Sequence, residues 1–316
     1  MSTRKTAYRQ ALRPLLHAAL HSEGLLPPDQ FTLARFSVDR RRRAQLFDPD
    51  IAALEDYLID HGGLPNKPLD WDLVAAFADE VAALCNDADV SLRYSYVGME
   101  WLLWILRHRY PPALFGADPE SPLQLPELCG VVALGEWAVA FHHSEAGVQA
   151  LLEHAQSPLA LVQAASARGL RRMLRGAWTA TYARLRRHAL DANAAAWRTM
   201  IAALAAPALL STRPRTLDAL ALCGEALSYL RRLSPPAAKR PETRALVDAL
   251  GEALAVAVSA APEIGFAQMW AWAAWDVPTV AEALRAALES PHLHPWQPSV
   301  KRLRARLAHA PHSAAP

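Results

Sequence analysis

The chain has 316 residues, of which 52% are hydrophobic and 20% are charged, and its formal net charge is +2. The length fits either two ordinary domains or one elongated repeat array, and the apolar fraction is ample for a continuous core. The apolar residues are mostly Ala and Leu, and there are only 13 glycines. This composition favours helices and leaves almost no room for strands.

No apolar segment in the sequence has the length and continuity of a membrane span. The best candidate, residues 245–261, is interrupted by Asp248 and Glu252, whereas a spanning helix needs about 18 or more apolar residues. The N-terminal stretch is basic but lacks the apolar core of a secretory signal, so we interpret it as an amphipathic capping helix. We therefore expect no membrane partner.

Three cysteines are widely spaced and form neither a CxxC pair nor a disulfide framework: Cys85, Cys129 and Cys223. Each lies in an apolar helical context, which is typical of buried thiols in a reducing compartment. This pattern predicts a cytoplasmic protein.

The small net charge conceals a strong asymmetry along the chain. The balance of Lys and Arg against Asp and Glu is +6 over residues 1–44, −14 over 45–160, +10 over 161–250 and zero over 251–316. An acidic part therefore precedes a basic part. The electrostatic field of such a charge distribution affects the choice of partners and the solubility. The acidic and the basic part are able to pair within one molecule or between two copies.

Helical periodicity and helix-boundary residues define the elements in chain order. Asp48-Pro49 and Asp70 are helix starts, Gly62-Gly63 is a stop, and the proline-rich interval 111–126 is a boundary or an inserted loop. The predicted helices cover residues 5–22, 29–45, 51–61, 70–85, 90–110, 126–141, 145–156, 158–175, 178–190, 193–206, 214–233, 241–260, 262–275, 278–289 and 298–309.

The helix predicted over residues 158–175 carries the most informative pattern. Ser157 supplies an N-cap oxygen and Pro158 occupies the first turn. At about 100° per residue, the apolar residues fall on one side of this helix. Four arginines gather on the opposite side: Arg168, Arg171, Arg172 and Arg175.

Similar hydrophobic-plus-polar pairs recur at Leu92-Arg93, Val162-Gln163 and Trp197-Arg198. The separations are multiples of about 35 residues, which is the length of one antiparallel helix pair. This pattern resembles HEAT repeats over residues 87–206 and, more loosely, over 207–289. The resemblance implies an all-α solenoid of stacked helix pairs, with a helical cap over 1–86, repeats over 87–309 and a frayed tail over 310–316.

Motifs for nucleotide binding, zinc proteases, serine hydrolases and CxxC redox chemistry are all missing from the sequence. His-Glu dipeptides, which bind iron in a HEAT-like hydroxylase, are missing too. The pairs His142-His143 and His292/His294 are interpreted as a helix end and a Pro-structured loop, since adjacent helical histidines point about 100° apart. We expect no metal and no cofactor.

The HEAT resemblance extends to DNA glycosylases, which hold duplex DNA in a basic groove with Trp and Asp side chains at the lesion. Asp70-Trp71-Asp72 invites that comparison, but Trp71 and most other tryptophans are interpreted as core residues, since they sit at helical spacing in apolar runs. The tryptophans expected in the core, besides Trp71, are Trp101, Trp104, Trp137, Trp178, Trp197, Trp270, Trp272 and Trp275.

The sequence therefore predicts a non-catalytic binding or scaffold protein whose concave face receives a protein partner. The expected contact residues are arginines of two successive helices: Arg168, Arg171, Arg172, Arg175, Arg186 and Arg187. The alternative is a nucleic-acid-binding or repair protein that uses the same basic groove. The partner's identity and the oligomeric state stay open.

Overall fold

A computed structural model describes residues 3–22, 48–87 and 93–309, and within these ranges every regular element is helical and no strand is present. The α-helices are α1 Thr3–His21, α2 Pro49–His61, α3 Trp71–Cys85, α4 Met99–His108, α5 Leu125–Ala140, α6 Ser144–His154, α7 Ala160–Gly176, α8 Trp178–His188, α9 Ala194–Leu204, α10 Arg213–Arg231, α11 Pro235–Ala238, α12 Pro241–Ala260, α13 Pro262–Trp272, α14 Pro278–Glu289 and α15 Gln297–His309. The all-α prediction is confirmed. The helix expected over 29–45, Leu92 of the first repeat pair and the tail from residue 310 lie outside the described residues.

Helix starts follow the expected N-cap chemistry at two places. The Asp48 carboxylate accepts hydrogen bonds from the amides of Asp50 and Ile51, and Asp70 accepts one from the amide of Asp72. These contacts satisfy amides that have no partner inside the helix. A six-residue π-helical segment, Arg93–Gly98, leads into α4.

The start of α7 differs from the prediction. Ser157 Oγ accepts a hydrogen bond from the Leu159 amide at 3.2 Å, and the helix begins only at Ala160. The Gln163 side chain reaches back to the Ser157 carbonyl at 2.7 Å. Ser157 and Pro158 therefore form a turn before the helix and do not belong to its first turn.

The described chain divides into two compact units, residues 1–177 and 178–316. In the first unit α5 is the central helix, with thirteen of its sixteen residues buried. It packs against α3, α4, α6 and α7, while α3 also packs against α1. A row of neighbouring helices α1, α3, α5 and α7 results.

The helix α5 approaches α7 through two glycines. A Cβ on Gly135 would overlap the backbone of Gly169, and a Cβ on Gly169 would lie 2.9 Å from the Val131 carbonyl oxygen. Only glycine allows the two backbones to come this close. This close approach brings Glu136, which follows Gly135, and Arg168, which precedes Gly169, to the same surface.

The segment Pro122–Ala140 is the one described stretch that is long and apolar enough to cross a membrane, and 78% of it is buried inside the protein. It comprises a short 3₁₀ turn, Pro122–Gln124, and α5. Its neighbours α3, α4, α6 and α7 cover it on several sides. The environment is that of the core helix of a folded unit.

In the second unit the central helix is α12, which packs against α9, α10, α13 and α14. Its buried side chains are small aliphatic residues such as Leu250, Leu254 and Val258. Five tryptophans of the two units are buried, in agreement with the prediction: Trp101, Trp137, Trp178, Trp197 and Trp272. Trp71, Trp104 and Trp275 are half-buried. Trp270 is an exception, because it lies on the solvent side of α13 and is 45% exposed.

Candidate binding surface

The four arginines of α7 share one side of the helix, as their spacing requires. They differ in what they contact. Arg172 and Arg175 are ion-paired with carboxylates of the same molecule, whereas Arg168 lies against an aromatic ring. Arg171 is half-buried, and burial lowers its pKa. We call the surface formed by α1, α3, α5 and α7 the α7 face.

Arg172 is the centre of a buried charge network. One nitrogen of its guanidinium, Nη1, lies 2.9 Å from Asp79 Oδ1 and 2.6 Å from Glu136 Oε1. Its Nη2 donates to the Ala75 carbonyl at 3.1 Å. With 11% of the side chain exposed, Arg172 ties α7 to both α3 and α5. Charge-assisted contacts of this kind are stronger than neutral hydrogen bonds.

The network extends to α1 and to the edge of α7. Lys5 Nζ lies 2.6 Å from Asp79 Oδ2, and Arg175 Nη2 lies 2.7 Å from Glu136 Oε1. Burial raises the pKa of Asp79, but hydrogen bonds and charge from Lys5 and Arg172 outweigh it and hold the pKa below its ordinary value. The carboxylate is therefore ionised and paired with two cations.

Arg168 stacks on Trp71, with the guanidinium carbon 3.6 Å from the centre of the indole ring. This is a cation–π contact between α7 and the first residue of α3. Burial and the neighbouring charge of Arg171 lower the pKa of Arg168. Among the described residues Arg168 has no carboxylate within ion-pair distance, so none of them neutralises its guanidinium.

Beyond Trp71, the row of charges continues onto α1. Arg4 Nη2 lies 2.6 Å from Asp70 Oδ2, and the Tyr8 hydroxyl donates to the same oxygen at 2.8 Å. Further along, both Arg9 and Arg13 pair with the buried Glu80. The basic N-terminal helix is thus matched by acidic residues of α3.

The two remaining predicted contact residues belong to the second unit. Arg186 Nη2, on α8, lies 2.7 Å from Glu225 Oε1 on α10, and the arginine side chain is 55% exposed. Arg187 is also exposed. These two arginines and the α7 arginines therefore lie in different compact units.

The two histidine pairs contact neighbouring side chains. Over residues 3–22, 48–87 and 93–309 no three His, Cys, Asp or Glu side chains are arranged to hold a metal ion. His143 stacks on Tyr96 and Trp137 at centroid distances of 5.4 and 5.2 Å. His292 Nε2 lies 3.5 Å from Glu252.

A second buried charge site was not anticipated from the sequence. Glu55 is 1% exposed, its Oε2 lies 2.7 Å from Arg109 Nη1, and the Tyr110 hydroxyl donates to it at 3.4 Å. Burial raises the pKa of Glu55 to about 7 although Arg109 acts in the opposite direction. The one sequence signal for this site is Glu55 itself, an acidic residue on an apolar helix face. Its partner Arg109 could not be predicted, because it is more than fifty positions away in the sequence.

The fold and surface together define an all-α protein of two compact helical units, the first of which carries a face of paired charges around one stacked arginine. No family model, no curated protein and no solved structure matches the chain.

Proposed function

We propose that this chain is a non-catalytic binding or scaffold protein, and that the α7 face receives an acidic segment of a protein partner. The observation that carries the proposal is Arg168, whose guanidinium carbon lies 3.6 Å from the centre of the Trp71 ring and which has no carboxylate within ion-pair distance among the described residues. A planar guanidinium that an aromatic ring already holds in place loses little side-chain freedom when it binds a carboxylate through two hydrogen bonds.

The proposed architecture is a HEAT-like array of antiparallel helix pairs. The successive packing of α1, α3, α5 and α7 supports it, because one helix of every pair would then form a continuous layer. Arrays of this kind offer extended surfaces to macromolecules. Because repeat folds host unrelated functions, the binding role rests on the residues of the α7 face and not on the architecture.

The charge pattern favours a protein over duplex nucleic acid at this surface. Duplex binding needs many unpaired cations spaced along the phosphates. On the α7 face, the two carboxylates of Asp79 and Glu136 pair with the three cations Lys5, Arg172 and Arg175. A surface of mixed sign that includes the guanidinium of Arg168 beside Trp71 fits a short acidic peptide segment better than a uniformly charged polymer.

The glycosylase-like alternative has little support at its expected aromatic and acidic residues. The face of Trp71 is covered by Arg168, and the Asp70 carboxylate is engaged by Arg4 and Tyr8. A base-binding pocket requires an aromatic face that is free to stack on the extruded base. We therefore propose no repair activity.

The proposal is tested by titrating a fluorescein-labelled dodecaglutamate peptide with the full chain and following anisotropy. The unmodified protein is expected to give saturable binding, and Arg168→Gln to weaken it about tenfold, the value of one charge-assisted hydrogen-bonded contact. Arg213→Gln is the matched control, since Arg213 is an exposed arginine of the second unit.

Retained binding in Arg168→Gln, or an equal loss in both variants, would remove the basis of the proposal. A further variant, Arg168→Lys, keeps the charge but lacks the planar fork. It is expected to bind more weakly than the unmodified protein and more tightly than Arg168→Gln. Circular dichroism of each variant establishes that the helices are intact.

A further inference from the structure

A second charged surface, in the other unit, has a different character. Five exposed cations lie between the end of α10 and the first turns of α12: Arg231, Arg232, Lys239, Arg240 and Arg244. Residues 231–244 contain a single acidic residue, Glu242. We call these five cations the basic corner.

The fold brings the five side chains to one end of the second unit. The helices α10 and α12 pack against each other, and only a short connection that includes α11 joins them. The connection is ordered by hydrogen bonds, because Thr243 Oγ1 donates to the Ala237 carbonyl at 2.9 Å and the Ala238 amide donates to Ser234 at 2.9 Å. The cations are therefore presented from a defined backbone.

An aromatic side chain lies near one of these cations. The Arg231 guanidinium carbon is 5.2 Å from the centre of the Trp275 ring. The Trp275 ring is half-buried. An arginine plane on an aromatic ring is a surface on which a base can stack.

The basic corner is not neutralised by the part of the chain that the structure describes. None of its five cations has a carboxylate within ion-pair distance among the residues that the structure describes, in contrast to Arg172 on the α7 face. Two of them, Lys239 and Arg240, also precede the N-terminus of the twenty-residue helix α12, which has no side-chain cap. The dipole of a helix places partial positive charge there, which adds to the attraction for an anion, and Glu242 in the first turn offsets part of it.

We propose that the basic corner binds the phosphate backbone of a single-stranded nucleic acid. Four of the five cations are arginines, whose planar forks match phosphate oxygens. The excess of five cations over one carboxylate, Glu242, suits a polymer with a uniformly charged backbone. The small extent of the corner suits the few nucleotides of a single-strand site better than a long duplex.

A lipid surface is the less favoured source of phosphate. Peripheral membrane binding combines basic residues with apolar side chains that enter the bilayer. The large apolar side chains that are exposed in the described chain are Leu114, Leu190, Leu217 and Trp270. None of them belongs to residues 229–244, so the basic corner offers charge without an apolar anchor.

The test uses the full chain and a fluorescein-labelled oligothymidylate of about 20 nucleotides, a length that exceeds a typical single-strand site. Anisotropy is followed at several salt concentrations. Saturable, salt-sensitive binding is expected. The variant Lys239→Gln with Arg240→Gln is expected to bind about tenfold more weakly at low salt, and to reduce the slope of log K against log salt by about 1.4, or about 0.7 per lost contact.

The chain supplies a matched control for this variant. Lys301 and Arg302 form the same dipeptide, are exposed, and lie on α15 outside the basic corner. Lys301→Gln with Arg302→Gln removes the same charge and is expected to leave oligonucleotide binding within about twofold of the unmodified protein, as distant exposed charges are screened.

Three outcomes would overturn the proposal. The first is an absence of oligonucleotide binding at low salt, and the second is an equal loss in both double variants. The third is that vesicles containing phosphatidylserine, or the dodecaglutamate peptide, depend on Lys239 and Arg240 while the oligonucleotide does not. Because Arg168 lies in the other unit, Arg168→Gln is expected to leave this binding unchanged, which separates it from the function proposed for the α7 face.

Discussion

Arg172 and Asp79 are 93 positions apart in the sequence, yet Arg172 Nη1 lies 2.9 Å from Asp79 Oδ1. This pair joins α7 to α3, and Glu136 adds α5 to the same cluster. The row of helices α1, α3, α5 and α7 is thus held together by charge pairing at its surface as well as by apolar contacts in its core.

Removal of Arg172 is expected to lower the stability of the first unit. Arg172→Met keeps much of the apolar stem but leaves Asp79 and Glu136 partly buried without their shared cation. A loss of about 2 kcal/mol in the free energy of unfolding is expected, because the charge-assisted hydrogen bonds of Arg172 are lost while Lys5 and Arg175 still pair with the two carboxylates. Urea denaturation followed by circular dichroism measures it.

Arg175→Met is the matched control, because the Arg175 side chain is 62% exposed and contacts the same carboxylate. An exposed ion pair contributes less than about 1 kcal/mol. If both variants lose the same free energy of unfolding, burial does not make the ion pairs of Arg172 stronger than the exposed pair of Arg175.

Gly135→Ala is expected to disturb the crossing of α5 and α7. The added methyl group would overlap the Gly169 backbone, and overpacking of this kind costs about 1–3 kcal/mol. At Gly224 the nearest atom to an added Cβ belongs to the Trp272 ring, 3.1 Å away, so Gly224→Ala should cost less. Thermal unfolding of the two variants gives the comparison, and a Gly135→Ala protein as stable as the unmodified chain would contradict this packing.

The buried carboxyl of Glu55 is expected to make stability depend on pH. Its pKa is raised from 4.5 to about 7 in the folded protein, so the native state holds the proton more tightly than the unfolded state. The contribution of Glu55 to the free energy of unfolding is therefore fully present below about pH 4.5. It declines by up to about 3 kcal/mol as the pH rises to about 7.

Glu55→Gln removes this titration. The difference in unfolding free energy between the variant and the unmodified protein, measured in urea from pH 4.5 to 8, is expected to shift in favour of the variant as pH rises, and to level off above about pH 7. A difference that stays constant over this range would be inconsistent with a buried, titrating Glu55.

The cysteines are expected to be unreactive in the folded protein. Burial raises the pKa of Cys85 and of Cys223 to about 12 and raises that of Cys129 as well. Little thiolate is then present at pH 8, and thiolate is the reactive form. Ellman's reagent should detect three thiols in denaturant and close to none without it; rapid native reaction of even one thiol would count against its burial.

Much of the helical layout could be predicted from local signals. The helices over 241–260 and 278–289 have the expected bounds, because a proline at the first position and a clear apolar period define each of them. At α7 the same signals were misleading, since the Ser157 side chain forms a turn with Leu159 before the helix starts.

The partners of the α7 arginines could not be predicted. Periodicity places Arg168 and Arg172 on one side of a helix, but it does not say that Trp71 will stack on the first or that Glu136 will pair with the second. The Glu136 contact depends on how closely α5 and α7 approach, and Gly135 and Gly169 allow that approach. The sequence showed only that an acidic and a basic part were available to pair.

Hydrogen exchange with and without the dodecaglutamate peptide tests the binding role of the α7 face most directly. Slower exchange is expected at the start of α3, around Trp71, and along α7 from Ala160 to Gly176, and this protection is expected to be lost in Arg168→Gln. Protection confined to residues 178–309, or none at saturating peptide, would contradict the binding role of the α7 face.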